Sequence, residues 1–181
     1  MIVDILLVLL LIGGFVLGFF RGLIRQLLAL GVWLIAFVGA AHLRVPLGDW
    51  LDASSTQFST AYSYMLAFAI VYLIVFAAAL VLVELGGAGS ALTSHPLIDD
   101  AAGGALGLLV ALLLVAGLVL ALDSFFLPTP TPQAGEVSWL RDIHRDLGSS
   151  AVVEILREWL IRPLGVLLGP LLPAEIRALM A

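Results

Sequence analysis

The chain has no cysteine and no lysine, and only 12% of its 181 residues are charged. Without cysteine there can be no disulfide, no thiolate nucleophile and no thiolate-ligated zinc centre. For the same reason, nothing in the sequence reports the redox compartment. All eight basic residues are arginine, a bias that we assign to genome composition rather than to function. The thirteen acids leave a formal net charge of -5 spread over loops and a tail, so the basic patch that nucleic acid requires is absent and nucleic acid is not an expected partner.

What replaces charge is hydrocarbon. Hydrophobic residues make up 62% of the chain and the mean hydropathy is +1.19, whereas a soluble domain carries about 25% charged residues. Long runs with almost no ionisable group suit a solvent that cannot hydrogen-bond the backbone, and helices satisfy every backbone group within one segment. The expected fold is therefore all-α, an integral membrane bundle of about four transmembrane helices followed by an amphipathic C-terminal helix.

Four apolar runs carry that expectation. Residues 1–20 hold Asp4 as their only charge and end at Arg21, which reads as a retained helix and not as a secretory leader with a positive start and a cleavage site. Apolar character resumes over residues 26–43, giving a tight helical hairpin around Arg21 to Arg25. Residues 44–60, with Pro46, Gly48, Asp49 and Asp52, read as a turn and cap before a third span over residues 61–83. Glu84 and a glycine-rich loop lead through Pro96, Asp99 and Asp100 to a fourth span over residues 101–122, which leaves at Asp123.

Domain boundaries follow: a transmembrane domain over 1–126, a proline-containing polar linker over 127–148 (Pro128, Pro130 and Pro132 stiffen it), and an amphipathic to apolar tail over 149–181. In the tail, Val152, Ile155, Leu156, Trp159 and Leu160 fall at i, i+3, i+4, i+7 and i+8, opposite Glu154, Arg157, Glu158 and Arg162. This apolar stripe is the expected docking face of a helix capped by Ser149 or Ser150 and stopped at Pro163. The remainder is expected to lie on the membrane or against the bundle.

Two glycine series mark helix contacts. Gly14, Gly18 and Gly22 share one face of the first span, and Gly103, Gly107 and Ala111 one face of the fourth, a spacing that lets backbones approach closely in lipid. Packing within the chain and association between copies both fit. Arg21 and Arg25, one turn apart, are expected to meet lipid phosphates and to set topology by the positive-inside rule, which places the first hairpin loop in the cytoplasm and both termini outside.

Catalytic patterns are weak. His42, His95 and His144 lie in three segments without metalloprotease spacing, so no metal and no cofactor is expected. Gly89-Ser90-Ala91 is not a nucleophile elbow, and Ser94-His95 is a sequence neighbour pair only. Glu84, Asp99, Asp100 and Asp123 stand at span ends and are expected to be interfacial, where water reaches them, which does not support a coupled ion pathway.

The run from Asp4 through the apolar span into Arg21-Gly22-Leu23-Ile24-Arg25-Gln26-Leu27-Leu28-Ala29-Leu30 resembles the opening of the colicin V production (CvpA) family, with Gln26 where that family usually has Glu. Ile98-Asp99-Asp100-Ala101-Ala102-Gly103-Gly104-Ala105-Leu106-Gly107 is similar to the family's entry to its last span, with Asp100 and Val110 where arginines are common, and Leu122-Asp123-Ser124-Phe125-Phe126 is similar to its exit. The resemblance covers residues 1–126 and leaves the tail unmatched. It implies a bacterial inner-membrane protein associated with toxin production or export and envelope homeostasis, without an assigned catalytic activity. Some relatives carry an outward-facing protease domain, which the short tail here cannot hold. A non-enzymatic accessory or scaffold protein is the expected function, with self-association or another envelope membrane protein as partner. A small homo-oligomeric channel or transporter is the alternative, and a membrane hydrolase the third reading.

Overall fold

Gly22 is where the first two helices separate, and its φ of +77° explains the residue. A single residue in the left-handed region ends α1 (Ile2–Arg21) and lets α2 (Leu23–Ser54) start in a new direction. The other long helices are α3 (Thr60–Leu85) and α4 (Pro96–Phe126). The computed structural model describes residues 2–54, 59–85, 96–129, 131–132 and 136–180. Every regular element among them is helical. Ser90, Ser94 and His95, with the rest of the glycine-rich loop, lie outside the described residues, as do Pro130 and the Glu84 side chain.

All four long helices are apolar and long enough to cross a membrane. At 32 residues α2 is longer than expected, about 48 Å against a hydrocarbon core of about 30 Å. It does not turn at residue 44 but continues through Pro46 to Ser54. Proline inside a helix costs one hydrogen bond, and here the far end of α2 is tied down from α3. The Tyr64 hydroxyl donates to Asp49 Oδ1 at 2.6 Å and the Thr60 hydroxyl to Asp52 Oδ2 at 2.9 Å. Gly48 makes room for this, since a Cβ there would stand 2.8 Å from Tyr64 Cε1.

The described chain forms two units, Met1–Ala36 with Ile74–Val115 and Phe37–Leu73 with Ala116–Ala181. In the first, α1 and α4 meet along glycine. A Cβ on Gly107 would lie 2.7 Å from Gly18 Cα, one on Gly103 2.6 Å from the Gly18 carbonyl oxygen, and one on Gly14 2.6 Å from Ala111 Cβ. Lipid tails supply no hydrophobic drive between helices, so this backbone proximity is what association rests on. Trp33 of α2, 3% exposed, adds a hydrogen bond from its indole N–H to the Leu113 carbonyl at 2.9 Å.

The second unit is packed by aromatics. Phe37 meets Phe68 edge-on with centroids 5.8 Å apart, and Phe68 stacks on Tyr72 at 6.2 Å. Gly117 leaves space for the Tyr72 ring, whose hydroxyl oxygen would be 2.6 Å from an added Cβ. Tyr62, Met65, Phe125 and Phe126 form a further buried cluster with Val137 and Leu140 against it.

Beyond α4 come α5 (Ser138–Gly148), α6 (Ala151–Leu156), a π-helical turn (Arg157–Ile161), α7 (Arg162–Leu168), a 3-10 turn (Gly169–Leu171) and α8 (Ala174–Leu179). Helix α5 falls within the segment read as a linker. Ser150 is the N-cap of α6, its hydroxyl accepting from Val153 N at 3.4 Å. Pro163 does not stop the helix. The wide π-helical turn just before it shifts bonding to i→i+5, as in Arg162 N–H to the Arg157 carbonyl, and so makes room for a ring that lacks an N–H.

Candidate functional site

The chemistry of the second unit centres on Asp123, at the exit of α4. Its side chain is only 6% exposed, which corrects the expectation that water reaches it. His144 Nε2 lies 2.8 Å from Oδ1, and Arg157 Nη2 donates to both carboxylate oxygens at 2.8 and 2.9 Å. A buried carboxylate needs such partners to stay ionised, and a charge-assisted pair of this geometry is stronger than a neutral one. An ionised carboxylate can only accept, and opposite one His144 Nε2 is the donor.

The surroundings hold His144 in place. Its ring stacks on Phe126 with centroids 5.1 Å apart, and Arg141 stands 5.0 Å from the same phenyl centroid. Arg141 binds Glu136 through Nε at 2.5 Å and Nη2 at 2.7 Å and reaches the Thr129 and Thr131 carbonyls at 3.1 Å. Its hydrogen bond to Glu136 holds the guanidinium above the usual arginine range, against the opposing effect of burial. A cation with a raised pKa gives up its stabilisation only as pH climbs past its ordinary range, so this pair contributes equally across neutral pH. Beside Asp123 and Arg157 is a cavity of about 200 Å³ that also touches Leu120, Ile161 and Met180.

An aspartate holding a histidine invites comparison with a hydrolytic triad. Among the described residues, however, no serine or threonine hydroxyl bonds to His144. The arrangement ties α5 and the π-helical turn to the end of α4. A second tie joins Arg44 of α2, 12% exposed, to Glu175 of α8 at 2.6 Å.

This geometry turns the tail helix away from its expected face. Val153, Leu156 and Ile161 are buried, whereas Ile155 is 61% and Trp159 76% exposed. Val152 and Leu160 are half-buried, so of the five predicted docking residues only Leu156 is fully covered. The reason is Arg157, which lies on the inward face with Val153, Leu156 and Ile161 because its carboxylate partner is there. Sequence periodicity placed that charge in solvent.

In the first unit, Asp99 is 3% exposed, which corrects the expectation that water reaches it. Its Oδ1 accepts from Leu23 N at 3.1 Å, and a Cβ on Gly22 would collide with its Oδ2. The carboxylate thus caps the N-terminus of α2, where free N–H groups and the helix dipole favour an anion. Arg21 and Arg25 flank this junction, both half-buried. Gly14, Gly18, Gly22, Gly103 and Gly107 all stand in contacts within the chain. His42 Nδ1 is 2.9 Å from the Val38 carbonyl of its own helix. No group of three or more His, Asp or Glu side chains among the described residues comes together to hold a metal ion.

Four apolar helices of spanning length define the class: this is a helical membrane protein. The chain belongs to the colicin V production protein family, whose model matches residues 3–156. The match runs past Phe126, where the sequence resemblance stopped, through α5 and α6 and up to the clamp at Arg157. No curated protein and no solved structure matches the chain.

Proposed function

We propose that this protein is a non-enzymatic accessory scaffold of the bacterial inner membrane, serving toxin production or export and envelope homeostasis by presenting its tail to a second copy or another envelope membrane protein. The observation that carries this reading is the clamp at Asp123. A buried carboxylate is devoted to holding the tail, and the tail held in this way displays Trp159 at 76%, Val166 at 84% and Leu167 at 73% exposure. Large apolar side chains kept outward on an anchored element mark a contact surface, with protein or with the membrane. The family's link to colicin V production supplies the process in which such a surface acts.

A chain truncated after Phe126 is expected to insert but to fail to complement a deletion strain. Full complementation would remove the tail from this function. The multi-pass arrangement we propose puts both termini outside the cytoplasm. Because the chain has no cysteine, Ser138→Cys, at the exposed start of α5, tests this directly. It is expected to react with an impermeant thiol reagent in intact spheroplasts, and protection until lysis would reverse the orientation.

A further inference from the structure

Within the first unit a cavity of about 310 Å³ opens between α1, α2, α3 and α4. Leu10, Gly13, Leu17 and Phe76 are among its apolar walls, and Arg21 and Gln26 are at its polar end. Gln26 is 4% exposed, and its side-chain amide hydrogen-bonds to nothing among the described residues. At the edge of hydrocarbon, where water is scarce, such an amide gains from a polar group that enters beside it. With a carbonyl and two N–H groups to offer, Gln26 lines a space large enough for a small ligand.

The position of the cavity along α1 indicates what enters. From Leu10 to Arg21 the helix rises about 16 Å, the depth of one leaflet of a core about 30 Å thick. Little of α1 is covered: 6% of its apolar window is buried, and Leu10 and Leu17 are 44% and 55% exposed. The groove therefore opens sideways into lipid, with its apolar part at acyl depth and its amide and guanidinium at headgroup depth.

We propose that this groove is a phospholipid site. One acyl chain lies along Leu10, Gly13, Leu17 and Phe76, the ester carbonyl accepts from the Gln26 amide, and the phosphate pairs with Arg21. This goes beyond the scaffold reading and does not depend on the tail. It gives the Gln26 amide a partner that none of the described residues supplies.

Gly13 permits a clean test, because a Cβ there meets nothing within 4 Å. Gly13→Phe places a ring at the groove wall from a position where the Cβ is unobstructed, and Gln26→Leu keeps the volume while removing the amide. Delipidated protein would be incubated with palmitoyl-oleoyl phosphatidylglycerol and examined by native mass spectrometry. The wild type is expected to retain one lipid per chain, and each variant to lose at least about tenfold of that bound fraction, a change worth 1.4 kcal/mol, while eluting as the wild type does. Should Gly13→Phe fail to accumulate, Gln26→Leu decides alone. Equal retention by Gln26→Leu and the wild type would overturn the site. So would a Leu17→Cys chain that forms a disulfide dimer in membranes, since a second copy would then occupy the groove.

Discussion

Gly18→Leu is expected to abolish accumulation of the folded protein. A Cβ at residue 18 would lie 2.8 Å from Gly107 Cα and 3.0 Å from Gly107 N, and those obstacles are backbone, unable to move aside as a side-chain end can. Relief requires α1 and α4 to separate, and separation also opens the neighbouring contacts at Gly14 with Ala111 and at Gly103 with the Gly18 carbonyl. In lipid nothing compensates, because the close approach was itself the attraction. Overpacking of this kind costs about 3 kcal/mol at the upper end of its usual range, a large share of the stability of most proteins. Gly31→Leu and Gly39→Leu are the controls, since a Cβ at either position meets nothing within 4 Å. Thermal challenge followed by size-exclusion chromatography of fluorescently tagged chains compares them. The controls should survive as the wild type does, and a Gly18→Leu chain that survived equally would mean that the seam does not hold α1.

That seam was legible because a spacing of four puts residues on one face of a helix, and small residues on one face have few other uses in lipid. The spans were legible for the same kind of reason, since length and hydropathy are properties of single segments. The ends of helices were not. Pro46 and the polar residues around it imitate a turn, and only the bonds that Asp49 and Asp52 accept from α3 reveal why α2 carries on.

The carboxylates show the limit more sharply. Asp99 and Asp123 end apolar runs just as water-facing acids do, and a single sequence does not separate an acid that meets solvent from one that caps a helix 76 residues away in the chain. Arg157 was placed on the polar side of the tail by its charge, although its partner, 34 residues upstream, draws it inward. A helical wheel assigns charged residues outward by default, and the rule fails where an opposite charge is buried. The exposed positions of Ile155 and Trp159 follow from that one misplacement.

The clamp at Asp123 therefore carries the second large effect. Asp123→Leu removes the acceptor of both His144 and Arg157 and leaves the Arg157 guanidinium without its carboxylate. Breaking a fully buried pair by removing one partner costs 3–5 kcal/mol. The Arg157 side chain is 36% exposed, so water screens part of the loss and about 2 kcal/mol is the expected weakening of tail docking. Local opening should rise about thirtyfold, read as faster trypsin cleavage at Arg141 and Arg145, sites that every variant keeps, while the spans stay intact. Loss of an attraction and exposure of an orphaned charge are separable here. In Asp123→Leu with Arg157→Leu both charges are gone, and since replacing a buried pair with apolar residues is often neutral, the double variant should be cleaved more slowly than Asp123→Leu alone. Additive effects of the two substitutions would show that the residues do not act on one another, and the tail would then be held by its apolar face, Val153, Leu156 and Ile161, without the clamp.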